Sequence, residues 1–274
     1  MAAISRSIYE ILTIESNDQK RTVDARSGVV SIDYYEDIFS PTITAKVTIT
    51  NTGDTISSPD NQGNPDGYRQ SIYNGLPLRG GERVSLKIRG NSPKNPGLDF
   101  STSTNKYLYV SSITNVISES QKESFTLNLV SREAVTNETS RVGKKYKVDS
   151  PISNSVEDIL KNYLKTTKIG EIEKSSNKYG FIGNLKKPFS TLVWLASKAV
   201  PEISQNPTAG FLFYQTKDGF QFRSIDDLLD QSPKATYVYT QSQESYDEND
   251  DKVNNDFKIL NYYVEKNQNL NSPH

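Results

Sequence analysis

The sequence predicts an α+β protein, mainly β, with a helix-containing segment set between two stretches of antiparallel strand. Three observations carry this prediction. Apolar and polar residues alternate in several segments across roughly the first 135 residues. The spacing changes to a helical period after Ser155, and the two-residue period returns at Gly210.

In chain order, VVSIDYY (Val29 to Tyr35) reads as a strand, followed by TITAKVTIT (Thr42 to Thr50), in which Ile43, Ala45, Val47 and Ile49 point one way and Thr44, Lys46 and Thr48 the other. The stretch Thr52 to Gly75 is rich in Gly, Pro, Asn and Asp and too long for a simple hairpin turn, so it either serves a partner or is disordered. RVSLKIR places Val84, Leu86 and Ile88 inward and Arg83, Ser85, Lys87 and Arg89 outward. After the Pro-rich connection Gly90 to Asp99, YLYVSSI (Tyr107 to Ile113) and SFTLNLV, with Phe125, Leu127 and Leu129 inward, complete a sandwich or barrel.

With Ser155 as cap, VEDILKNYLKTT sets Val156, Ile159, Leu160, Tyr163 and Leu164 on one helical face. A second helix begins just after Pro188, turns Leu192, Val193, Ala196 and Ala199 to the core, and stops at Pro201, with Trp194 read as packing. GFLFYQTKDGFQFRS then sets Phe211 and Phe213 against Phe220 and Phe222 across an Asp218-Gly219 turn. The short helical piece SIDDLLD and the alternating segments ATYVYTQ and FKILNYYVE follow.

Composition narrows the chemistry. The 274 residues are enough for two modest domains or one large β fold, and sixteen Tyr and ten Phe enlarge a lean 34% apolar content. A net charge of −1 exerts no global pull on nucleic acid or membrane. There is no Cys, and the single His is His274, which excludes thiolate sites, Ser-His-Asp and Cys-His catalysis and His-rich zinc sites. MAAISRSIYEILTIESND has no signal-peptide pattern, and no run of about 18 apolar residues occurs, so the reading is a soluble protein assembled in a cytoplasm, with no membrane insertion.

Candidate sites are few. Gly80-Gly81 precedes a strand rather than a helix, and no Lys-Ser or Lys-Thr follows, so it reads as a positive-φ turn and not a phosphate cradle. Asp247, Asn249 and Asp251 match the start of a calcium loop, but Lys252 and Lys258 stand where Gly and Glu belong. The carboxylates Glu36-Asp37, Glu171 and Glu173, and Asp226-Asp227 carry no sign of the apolar pocket that separates an acid from a base. Arg83, Lys87 and Arg89 share one strand face, with Lys46 near them if the two strands pair; this is either a solvated face or a basic wall toward a polyanion or partner subunit. Asn137-Glu138-Thr139 matches a glycosylation sequon without a secretion signal.

An ordered series of segments, YYEDIFSPTITAKVTI, NGLPLRGGERVSLKI, LNLVSREAVTNETSRVGKKY, SVEDILKNYLK, KKPFSTLVWLASKAV and AGFLFYQTKDGFQFRSIDDLL, resembles the baseplate hub proteins of T-even-type contractile-tail phages over most of Ile8 to Leu229. The resemblance implies a non-enzymatic homotrimer without cofactor or metal. Each subunit would carry two tail-tube-like antiparallel β-barrel or sandwich modules, residues 1–140 and 206–274, separated by a helical segment, 141–205. It further implies a pseudo-sixfold ring in the virion tail baseplate, assembled in the host cytoplasm. That ring would join the hexameric tail tube protein to a trimeric central spike, which can bear a lysozyme domain, beside other baseplate proteins and around a channel that DNA crosses in transit. Asp54, Asp60, Asp66, Tyr68 and Arg69 of the long loop are then expected at a subunit or tube interface, and Lys46, Arg83, Lys87 and Arg89 at a channel wall or interface. Such proteins usually continue past the second module's early strands, so that module is expected to be compact or completed by a neighbour. Rival readings are the hub of a type VI secretion or phage-tail-like injection particle, a carbohydrate-binding β protein, and a carboxylate-based cell-wall hydrolase.

Overall fold

The computed structural model describes residues 8–51, 56–59, 65–76, 78–90, 97–119, 122–202, 210–233, 236–239, 258–259 and 261–263. It is an α+β structure, mainly β. The elements run β1 (Ile8–Glu15), β2 (Thr22–Asp24), β3 (Val29–Tyr35), β4 (Thr44–Asn51), β5 (Ile56–Pro59), β6 (Pro65–Gln70), α1 (Ile72–Gly75), β7 (Arg83–Arg89), β8 (Leu98–Phe100), β9 (Leu108–Ser118) and β10 (Glu123–Ser131). They continue with α2 (Arg132–Thr139), β11 (Lys145–Tyr146), α3 (Ile152–Asn162), β12 (Ile169–Ile172), β13 (Phe181–Ile182), α4 (Pro188–Ala196), β14 (Phe211–Thr216), β15 (Gly219–Ser224), α5 (Ile225–Leu229), β16 (Val238–Tyr239) and β17 (Lys258–Ile259).

The first body is an eight-stranded sheet in the order β2-β1-β7-β9-β10-β4-β3, with β8 also paired to β7. Its register brings inward residues face to face: Leu12 meets Leu86, Ile14 meets Val84, Val84 meets Leu108, and Leu127 meets Val47. All of these side chains are buried, so the alternation read along each strand becomes one core. Register shifts interrupt β1, the β9–β10 pair and β3. An extra residue at such points bends a strand and increases its twist, which curls this sheet into a half-barrel.

The second body joins helices and hairpin around a separate core. Ile152, Val156, Ile159, Leu160 and Leu164 along α3, Phe189, Leu192, Leu195 and Ala196 on α4, and Phe211, Phe213, Phe220 and Phe222 on the hairpin all pack together. The β14–β15 hairpin pairs through β15 with β12, in parallel. This core takes in residues on both sides of position 205. Burial of four phenylalanines against α4, with Phe213 and Phe220 stacked at 5.6 Å, draws the hairpin to the helices.

Several local expectations are revised. The apolar stripe of α3 extends back to Ile152, so the helix starts after Pro151 and Ser155 lies inside it rather than capping it. On α4, Val193 is 47% exposed and Leu195 takes the buried place; PFSTLVWLA is apolar almost all round, so periodicity alone does not select its inner face. Trp194 packs edge-on to Tyr179 and Phe181, as the core reading expects. The hairpin turns at Lys217 and Asp218, while Gly219, with φ of 141°, already belongs to β15. The stretch 52–75, read as irregular, carries the paired strands β5 and β6 and the short helix α1.

Two compact units are distinguished, residues 1–229 and 230–274. In the second, the expected long strands reduce, among the described residues, to β16 and β17, which pair in parallel, with Tyr239 edge-on to Tyr262 at 4.8 Å. No helix of the described residues is long and apolar enough to cross a membrane.

Phe220 is fully buried in the second core. Phe220→Ala is expected to cost about 3–5 kcal/mol in urea denaturation, through lost burial and the cavity left behind.

Candidate functional site

Gly80 and Gly81 adopt φ of 103° and 93°, a region open chiefly to glycine, and the turn they make launches β7. Their loop does cradle an anion, but it is the chain's own. Glu82 is 0% exposed, and its carboxylate accepts hydrogen bonds from the amides of Arg79 at 2.7 Å and Gly80 at 2.9 Å and from Asn17 Nδ2 at 3.0 Å. Asn17 also donates to the Gly80 carbonyl at 3.0 Å, tying the β1–β2 turn to the start of β7. A phosphate would meet a negative group already in its place.

The base of the long loop is held in the same way. Buried Glu123 accepts from Ser71 Oγ at 2.9 Å and from the Tyr73 amide at 3.2 Å, while Arg21 Nη1 donates to the Gly75 carbonyl at 2.5 Å. Ile72 and Leu76 enter the first core. Beyond this base β5 and β6 pair only with each other, a ribbon that draws little stability from pairing alone. Asp66, Tyr68 and Arg69 lie on β6, with Arg69 opposite Ser57; Asp54 and Asp60 lie outside the described residues.

The basic face of β7 is already matched by acids on its neighbours. Arg83 forms an ion pair with Glu15 on β1, with Nε 2.7 Å from Oε2, and lies over the Tyr107 ring at 4.4 Å. Its hydrogen bond to Glu15 raises the guanidinium pKa. Lys87 sits 3.1 Å from Glu10 and 3.9 Å from Asp99, and Arg89 sits 3.4 Å from Glu10. Burial alone would raise the Asp99 carboxyl; hydrogen bonds from Ser101 and Ser103, with Lys87 beside it, hold it below its ordinary value. Lys46 does not join this group. It lies on β4, which β9 and β10 separate from β7, and it is exposed without an ion pair among the described residues.

The sheet also presents a surface that sequence reasoning missed. β3 is the last strand in the sheet order, and exposed apolar side chains crowd this end: Val30 at 63%, and Ile38 and Phe39 just beyond it, the latter at 78%. Sheet edges are ordinarily protected by charge, Pro or bulges; this one has a register shift between Val29 and Ser31 and the exposed Asp33, and apolar surface lies beside them. The available signal was the neighbouring Val29-Val30 and Ile38-Phe39, which break the alternation.

The paired carboxylates make hydrogen bonds and ion pairs within the fold. Glu36 accepts from Tyr34 Oη at 2.7 Å and from the Lys217 amide at 2.5 Å, and burial together with Glu36 raises the Tyr34 pKa. Glu173 accepts from the Ser224 amide and hydroxyl, and Glu171 and Asp227 both pair with Arg223. The calcium-like run at Asp247, Asn249 and Asp251 lies outside the described residues, and among those described no cluster of His, Asp and Glu could hold a metal. Asn137 of the sequon is buried and accepts from the Phe189 amide at 2.8 Å, serving as a cap for α4.

No protein-family model matches the chain, and no curated protein sequence does. Among solved structures, the chain is similar to the 43 kDa tail protein of prophage MuSo2 from Shewanella oneidensis, with 9% identity and a TM-score of 0.51 over 86% of this chain and 57% of that one. A tail protein from Neisseria meningitidis aligns with 10% identity and a TM-score of 0.49, over 86% of this chain and 56% of that one. A type VI secretion system component of Escherichia coli, described as similar to T4 phage tail proteins, aligns with 11% identity and a TM-score of 0.36, over 79% and 46% of the two chains. The chain thus spans little more than half the length of the first two, and the likeness to the first is one of fold.

Glu82→Ala, which leaves several buried amide donors unpaired, is expected to lower unfolding free energy by about 3–5 kcal/mol. Arg89→Ala, at an exposed ion pair, should change it by less than about 1 kcal/mol in the same denaturation series.

Proposed function

We propose that this chain is a structural, non-enzymatic subunit of a phage-type tail, acting as the baseplate hub. Three copies form a ring with pseudo-sixfold character that joins a hexameric tail tube to a trimeric central spike and surrounds the channel that DNA crosses. The observation that carries this reading is the fold likeness to a prophage tail protein over 86% of the chain. The ordered segments from Ile8 to Leu229 that resemble contractile-tail hub proteins support it independently.

The surfaces suit the role. Ring assembly needs self-complementary or head-to-tail patches repeated by symmetry. The open, apolar β3 edge is such a patch, and the β5–β6 ribbon is a second element suited to contact across an interface. In this reading residues 1–140 form the first tube-facing module and the second is built around the 211–224 hairpin, so three chains offer six docking faces. Asp54, Asp60, Asp66, Tyr68 and Arg69 belong to the contact with the tube or a neighbouring subunit. The hub of a type VI secretion or related injection particle has the same requirements, and the identity of the tube protein that binds distinguishes the two.

Mass photometry and negative-stain microscopy of the purified chain should show a trimer with a central hole; a monomer at micromolar concentration would count against the ring. Replacing residues 56–70 with a short Gly-Ser linker should leave the trimer intact and abolish capture of tail tube protein. Lys46→Gln should leave thermal stability nearly unchanged and weaken tube capture, because that cation forms no ion pair among the described residues, while a Glu there would face Asp33 across the β3–β4 pair.

A further inference from the structure

We propose that the pocket between β11 and the first two turns of α3 binds a single phosphate-type oxyanion. This inference is independent of the hub assignment. The pocket has a volume of about 260 Å³ and is lined by Lys144, Lys145, Tyr146, Lys147, Asn154 and Ser155, with Asp158 at one side.

Two independent features point to an anion. The first is positive charge and donor groups without partners. Asp158 accepts from Lys144 Nζ, Tyr146 Oη and Asn162 Nδ2, each at 2.8 Å. Burial alone would raise its pKa; these three donors outweigh burial and keep it ionised, so it neutralises Lys144. Lys145 and Lys147 remain, with no acidic partner among the described residues. The N-cap of α3 is Pro151, which offers no side-chain acceptor; the Ser153 amide is taken by Ser175 Oγ at 3.0 Å, and the positive end of the 11-residue helix lies beside the two lysines.

The second feature is Ser155. It is 2% exposed, lines the pocket, and its Oγ has no hydrogen-bond partner among the described residues. A buried hydroxyl left unpaired is unfavourable, and an anion seated in the pocket would accept from it. The surroundings reinforce the preference: residues 141–187 contain eleven Lys and Arg against five Asp and Glu, in a chain whose net charge is −1. A phosphate-type group, with up to two charges and several acceptor oxygens, satisfies two ammonium groups and a hydroxyl together, which the single charge of a carboxylate does less fully.

The test titrates inorganic phosphate into the full chain against chloride at matched ionic strength, following heat of binding and melting temperature. Saturable binding is expected in the parent, weakened at least about tenfold in Lys145→Ala/Lys147→Ala and several-fold in Ser155→Ala. Without phosphate, Ser155→Ala should melt at or above the parent temperature, since it removes an unpaired hydroxyl; this shows that its lost response is not unfolding. A short DNA duplex provides the second arm. Displacement of phosphate by the duplex, lost in the same variants, identifies a nucleic-acid phosphate as the source, and phosphate binding unaffected by duplex identifies a free anion. Absence of saturable phosphate binding, or equal binding in parent and variants, overturns the proposal.

Discussion

The fold depends on buried carboxylates that must find donors where water cannot reach them. Glu82, Glu123 and Glu133 are all buried, and each is met by at least one group from a connection. Glu82 gathers the Arg79–Gly80 turn and Asn17, Glu123 gathers the approach to α1, and Glu133 accepts from Thr166 Oγ1 at 2.8 Å beyond the end of α3. An unpaired buried carboxylate is among the costliest defects a fold can carry. Each loop is therefore held to one path, and the strands that follow enter the sheet in one register.

A polar seam joins the half-barrel to the helical body. Gln215 Oε1 accepts from the Ile43 amide and from Thr42 Oγ1, Lys106 Nζ donates to the Lys217 carbonyl at 2.6 Å, and Glu36 accepts from the Lys217 amide. Arg132 reaches the Lys165 carbonyl at 2.7 Å. Hydrogen bonds have directions, whereas apolar contact between two cores tolerates sliding. The seam accordingly sets the angle at which the two bodies meet.

Charge is distributed unevenly over the molecule. On β7 the cations are neutralised by Glu10, Glu15 and Asp99, so that face presents hydrogen-bonding groups with little net field. Net positive charge collects on the second body, around β11 and α3, and Lys46 on β4 is exposed without an ion pair among the described residues. Apolar side chains are exposed at the β3 end of the sheet, and others are exposed on the second body, Val148, Ile182 and Leu185 among them. The molecule therefore separates an apolar edge, a balanced polar face and a basic pocket, three surfaces suited to three different kinds of contact.

In the half-barrel, β3, β4, β7, β9 and β10 were legible from their alternation, since Ala45, Val47 and Ile49, or Phe125, Leu127 and Leu129, have only one way to be buried, whereas β1, β2 and β8 were not read as strands. The helices α3 and α4 and the phenylalanine hairpin were legible for the same reason, apart from a first turn, one inner face and a turn position. Even Glu82 and Glu123 left a trace, since each stands two residues before the first inward residue of an alternating run and so on its inward parity. Periodicity reports burial, and burial is a local property of each strand or helix. It does not report which strands are neighbours, so the separation of Lys46 from β7, the acids opposite Arg83, Lys87 and Arg89, and the free edge at β3 were decided only when the sheet order was set. The shared core of helices and hairpin, the ribbon within residues 52–75 and the pocket at Ser155 likewise arise from contacts between segments far apart in the chain, which no single stretch of sequence encodes by itself.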